Sequence, residues 1–161
     1  MSLELKHISP YLPYELTGIC TEEFSGIEKV IGISKYSNTD EVYLITSLDD
    51  LDIEYFKPIF RPLSDLTKEI EVDREKFVPI DAIKSMSDMP YSNSFRYEEG
   101  NFIFTEQRLI SEYGSHSWLD FDHVASNQIL FFEKLYEWHF DVFGLIEKGL
   151  AVDINTLNQE L

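Results

Sequence analysis

The chain has 161 residues, 43% of them hydrophobic and 14% aromatic, which is enough apolar material for one sizeable core and too much for a disordered segment. Its 30 acidic residues against 13 basic ones give a formal charge of -17. A surface that negative works against direct contact with a phosphate backbone, which depends on Lys and Arg displacing counterions, and favours a basic partner. Acidity also keeps an aromatic-rich domain in solution.

Cys20 is the only cysteine, so no internal disulfide can form and a reducing compartment is expected. The start, MSLELKHISPYLPYEL, lacks the basic-then-apolar pattern of a targeting signal, and no apolar run is long enough for a membrane span. A cytosolic location is the expectation.

In chain order, Leu3 to Ile8 reads as a short helix capped by Ser2. Pro10 and Pro13 then force an extended stretch. Glu15 to Cys20, Lys29 to Tyr36 and Glu41 to Thr46 alternate or carry β-branched and aromatic residues, which predicts a small antiparallel meander turning at Thr21–Gly26 and Ser37–Asp40. Ser47 to Glu54, SLDDLDIE, places Asp49, Asp50, Asp52 and Glu54 where the strands give way to a loop. It lacks the glycine and closing glutamate of a calcium loop, and Leu48, Leu51 and Ile53 read as core contacts, so no metal is expected.

Phe56 to Pro62 is extended by its prolines. Ser64 can cap a helix over Asp65 to Ile70; Glu71 to Asp73 makes a turn, Glu75 to Pro79 a strand and Asp81 to Met86 a short helix. Ser94 to Thr105 is the clearest hairpin: Phe95 and Tyr97 face Phe102 and Phe104 across Glu98-Glu99-Gly100-Asn101. Glu106 to Tyr113 reads as a helical turn or two. Asp122 to Leu150 is predicted to be one long amphipathic helix, with Leu130, Phe131, Leu135, Trp138, Val142, Leu145 and Ile146 at three- and four-residue steps. Asp122 or Ser126 would cap it and Gly149 would stop it, ahead of a short tail packed by Ile154 and Leu157.

Glu133, Glu137 and Asp141 stand at i, i+4 and i+8 on that helix, a row of carboxylates that repel one another unless a cation faces them. Read with the net charge, the row matches a groove lined by Lys and Arg; read alone, it is a solvated face. Asp120, Asp122 and His123, in HSWLDFDH with His116, are the only local mixture of imidazole and carboxylate. On a strand the two aspartates would share a face and could share a metal ion, although capping explains Asp122 equally well. Cys20 reads as a buried thiol on a strand, and His139 as a side chain packed beside the core. No phosphate-cradling glycine loop, G-x-S-x-G or C-x-x-C is present.

Three stretches, KHISPYLPYEL (Lys6 to Leu16), FKPIFRPLSDLTKEIEVDREKFVPI (Phe56 to Ile80) and LYEWHFDVFGLIEKGLAVDINTL (Leu135 to Leu157), resemble small uncharacterised proteins encoded by phages and prophages of Bacteroidetes-type bacteria. The resemblance carries no catalytic residue, and a common frame with individual inserts suits a binding protein whose target varies between members.

The expectation is therefore an α+β protein, a small antiparallel sheet and hairpins packed against a long C-terminal helix in a single domain over 1–161. Functionally it reads as a non-enzymatic phage protein that inhibits a host immunity nuclease, of the anti-CRISPR kind. It would do so by setting Glu133, Glu137, Asp141, Asp49, Asp50, Asp52 and Glu54 against a basic nucleic-acid-binding surface, without a cofactor. The alternatives are a metal-dependent hydrolase or nuclease built on Asp120, Asp122 and His123, and a phage assembly accessory.

Overall fold

Alternating strand sequence in the first third of the chain and aromatic helix sequence near its end meet in a mixed α and β structure. The computed structural model describes residues 2–21, 26–35, 41–47, 50–86, 95–98, 101–104, 110–111, 114–115 and 121–157, with the backbone alone at 84, 95–98, 101–104, 110–111, 114–115 and 121–127. The elements in chain order are α1 (Leu5–Ile8), a 3₁₀ helix (Ser9–Tyr14), β1 (Thr17–Cys20), β2 (Ile27–Lys35), β3 (Val42–Thr46), β4 (Asp50–Asp52), a 3₁₀ turn (Ile53–Tyr55) and β5 (Phe56–Phe60). A further 3₁₀ helix (Leu63–Thr67) precedes β6 (Ile70–Val72), β7 (Glu75–Phe77), α2 (Pro79–Met86), β8 (Phe95–Glu98), β9 (Asn101–Phe104), β10 (Ile110–Ser111), β11 (Gly114–Ser115), α3 (Phe121–Glu137), β12 (Val152–Asp153) and α4 (Ile154–Leu157). These fall into two compact units, Met1–Pro62 with Leu135–Leu161, and Leu63–Lys134. Among the described residues no helix is long and apolar enough to cross a membrane.

The first unit is built on a six-stranded sheet in the order β12-β5-β1-β2-β3-β4. Its pairings are antiparallel except β12 on β5, which is parallel. The expected meander is β1 to β3. The acidic segment after it is not a plain loop: Asp50–Asp52 forms β4 and pairs with β3, setting Leu51 opposite Leu44. The cause is Leu51, which is buried with Leu44, while the alternation of a strand turns Asp50 and Asp52 to the other face. Leu16, Cys20, Val30, Leu44, Leu51, Phe56 and Phe60 join Leu3, Ile8, Tyr11, Leu145 and Ala151 in one buried cluster. Cys20 is a buried strand thiol, as its surroundings predict. Gly18 is required where β1 crosses β5, because a Cβ there would run into the Phe56 ring and come within 2.6 Å of the Lys57 carbonyl.

Two helical expectations change. Pro10 and Pro13 do not force an extended chain; both sit within the 3₁₀ helix Ser9–Tyr14, which a left-handed Glu15, φ 60°, brings to an end. A short 3₁₀ run accepts Pro10 near its start, where a missing N–H costs no bond. The long helix Asp122–Leu150 is not formed either: α3 ends at Glu137. His139 takes a left-handed φ of 56°, its N–H reaches the Tyr136 carbonyl at 3.1 Å, and the Phe140 N–H reaches back to the Leu135 carbonyl at 2.8 Å. That pair of bonds is a Schellman stop, with histidine at the position glycine usually fills. The chain then turns under Asp141 and closes again at Gly149, φ 69°, where the Gly149 and Leu150 amides donate to Ile146 and Leu145. Gly149 is thus left-handed as expected, but it ends a separate turn.

In the second unit the expected helix from Asp65 to Ile70 is the shorter 3₁₀ helix Leu63–Thr67, because Ile70 pairs with Phe77 in a β6–β7 hairpin. Asp73 and Arg74, at φ 51° and 70°, make its turn, the double left-handed geometry of a two-residue hairpin. The expected helix Asp81–Met86 lies within α2, and the hairpin β8–β9 has the predicted register, Phe95 opposite Phe104 and Tyr97 opposite Phe102. Where a helical turn is expected over Glu106–Tyr113, Ile110–Ser111 is instead a strand paired with β11, and the rest of that stretch lies outside the described residues.

Candidate partner-binding site

β3 and β4 bring together carboxylates that are distant in sequence. Asp52, the last residue of β4, accepts the Glu54 N–H at 3.1 Å and caps the 3₁₀ turn Ile53–Tyr55. That turn directs Glu54 outward beside Asp52. Glu41 immediately precedes β3 and accepts the Tyr43 hydroxyl at 3.0 Å, and Glu4 precedes α1. Asp52, Glu54, Glu41 and Glu4 all line one open cavity of about 410 Å³, together with Leu3, Leu5, Val42 and Ile53. Apolar side chains beside carboxylates match a long basic side chain, which buries its methylenes and keeps its charge at the mouth.

The Lys6 ammonium, 2.8 Å from the Glu4 carboxylate, holds Glu4 below the usual carboxylate range. Both partners are about half exposed or more, so the pair is solvent-screened and open to exchange for another cation. Asp50, also on β4, is exposed and does not line the cavity, while Asp49 lies outside the described residues.

The helical row separates. Glu133 is exposed and Glu137 half-buried on α3. Asp141 belongs to no exposed row: it is 4% exposed, and its two oxygens accept the Leu145 and Ile146 N–H groups at 2.8 Å each. It caps the turn after the helix stop, so its carboxylate is consumed by the backbone. The i+8 geometry assumed a helix that ends four residues earlier.

For the metal alternative, Asp120 lies outside the described residues, and Asp122 and His123 fall in the first turn of α3. Helical backbone there removes the strand alternation on which the shared face depended. Among the described residues no group of three or more His, Cys, Asp and Glu is placed to hold a metal ion. His139 packs beside the core as expected, its ring stacked on Tyr11 with centroids 6.3 Å apart.

Sequence reasoning names Asp52 and Glu54 but misses Glu4 and Glu41, which no local pattern connects to them; the pairing of β3 with β4 brings Glu41 near, and the segment before α1 brings Glu4. The chain matches no family model, no curated protein and no solved structure.

Proposed function

We propose that this chain is an acidic interaction protein that binds a basic surface of a partner, and that the cavity lined by Glu4, Glu41, Asp52 and Glu54 takes a Lys or Arg side chain of that partner. The observation that carries this is the convergence of four carboxylates from three separate segments on one cavity also lined by apolar side chains, on a chain of formal charge -17. Long-range attraction would speed the encounter, and the cavity would fix the register. Exposed Asp50 on β4 and Glu133 on α3 add to the attracting field, whereas Asp141 is withdrawn from the partner surface.

The particular version is inhibition of a host immunity nuclease, of the anti-CRISPR kind, by occupying its nucleic-acid channel. The resemblance to phage and prophage proteins supports that choice of partner. Capture from lysate of a bacterium carrying CRISPR systems, with bound proteins identified by mass spectrometry, tests it. Recovery of an effector nuclease that is lost on Glu41→Lys, Asp52→Lys and Glu54→Lys together is the expected result. Recovery of phage structural proteins alone would replace the inhibitor with an assembly role.

A further inference from the structure

The reversal at the end of α3 holds an imidazole in a place suited only to its neutral form. The His139 carbonyl accepts the Arg61 N–H at 2.7 Å, and the Asp141 N–H donates to the Arg61 carbonyl at 2.8 Å, a parallel bridge between Arg61 and Phe140. The same direction of pairing resumes at β12, Val152 beside Ile59 and Asp153 beside Phe60. The His139 ring lies on Tyr11 at an interplanar angle of 17°. It bonds the Tyr14 backbone, and its Nε2 is buried with no hydrogen-bond partner among the described residues.

We propose that this turn is an acid-operated latch: protonation of His139 undoes the Arg61–Phe140 bridge and frees the segment from Trp138 to Asp153 from β5. A second ring proton would sit on Nε2, where it has no acceptor, and would set a cation beside the Arg61 guanidinium. An unpaired buried charge is resolved by moving the group into water. Around the ring the Tyr14 backbone favours the charged form, but by less than burial opposes it. From the 3₁₀ helix, Tyr11 presents its ring and Tyr14 its carbonyl; from the end of β5 comes Arg61; on its own strand, Asp141 has both carboxylate oxygens taken by the Leu145 and Ile146 amides. Burial holds the Tyr136 phenol above its ordinary value, so it stays neutral, and half-buried Glu137 stands at the end of α3.

Burial holds the His139 pKa below the usual imidazole value; the hydrogen bond to the Tyr14 backbone raises it by less, and Arg61 lowers it by less still. An opened segment would return it to about 6.5, so the opened form binds the proton more tightly. The closed latch is therefore at full strength above about pH 6.5 and weakens as pH falls from there toward the closed-state value. Nothing in this depends on the partner proposed above.

Hydrogen exchange of the full chain, followed by mass spectrometry at about pH 7.5 and about pH 5.5 with intrinsic rates corrected, tests the latch. Protection over 138–153 is expected to drop at the lower pH while β2 and β3 keep theirs. His139→Asn, which tolerates a positive φ, should remove the difference. Equal loss in the variant, or simultaneous loss across β2 and β3, would overturn the proposal. An NMR titration of the His139 imidazole gives a second reading that needs no variant: a midpoint at or above about 6.5 would overturn it as well.

Discussion

The Tyr11 hydroxyl donates to the Phe140 carbonyl at 2.7 Å and accepts the Val142 N–H at 3.3 Å, tying the N-terminal 3₁₀ helix to the chain reversal after α3. Tyr11 itself is fully buried, its ring 4.4 Å from Phe60 and 5.0 Å from Tyr136 by centroids. One side chain thus bonds two backbone groups that also pair with each other, the Val142 N–H donating to the Phe140 carbonyl at 2.9 Å. Tyr11→Phe keeps the packing and removes both bonds while the Val142 N–H still reaches the Phe140 carbonyl, so it should cost about 0.5–1.5 kcal/mol in urea unfolding. A loss no larger than that of an exposed Tyr→Phe change would contradict the bridging role.

Alkaline pH offers a separate test of the same side chain. Burial raises the Tyr11 pKa well above its ordinary value, while in the unfolded chain the phenol ionises near pH 10. The folded chain therefore holds its proton longer, and the stability this contributes is present below about pH 10 and lost as pH rises beyond it. Tyr11→Phe should flatten the part of the alkaline unfolding curve that is due to this group.

Asp141 carries the turn that follows. Its carboxylate accepts two backbone amides while 4% exposed, so Asp141→Ala should destabilise by about 2–3 kcal/mol. Exposed Glu133 makes no comparable bond to the backbone, and Glu133→Ala should stay within about 0.5 kcal/mol. Thermal melts of the two variants side by side separate a structural carboxylate from a surface one.

Much of the architecture was legible because its signals are local. β1 to β3, the β8–β9 register and α2 follow from alternation, turn composition and short apolar spacing. The apolar period through Val142, Leu145 and Ile146 was real as a burial signal but misleading as a helix signal. Those residues do turn inward, yet His139 adopts the left-handed stop that sequence rules reserve for glycine or asparagine. The β6–β7 turn hides likewise, since Asp73 and Arg74 take positive φ without a glycine. Of the site, Asp52 and Glu54 were visible as local acidity. Glu4 and Glu41 were not, because only the tertiary fold brings them to the cavity, and Asp141 looked like surface charge because its backbone partners lie on a turn that periodicity cannot show.

The β6–β7 turn gives a prediction in the stabilising direction. Arg74, at φ 70°, bears a Cβ strain that glycine would not. Arg74→Gly, giving the Asp-Gly pair favoured in two-residue hairpins, should raise stability by about 0.5–1 kcal/mol. Destabilisation would mean that the Arg74 side chain makes contacts worth more than the strain.

The most direct test of the partner-binding account is an NMR titration of the isotope-labelled chain with an oligoarginine peptide at low and at high salt. Shifts concentrated at Glu4, Glu41, Asp52 and Glu54, fading as salt screens the attraction and absent when Glu41, Asp52 and Glu54 are changed to Lys, are the predicted result. Shifts spread evenly over the acidic surface, or a cavity that stays silent while other segments respond, would contradict it.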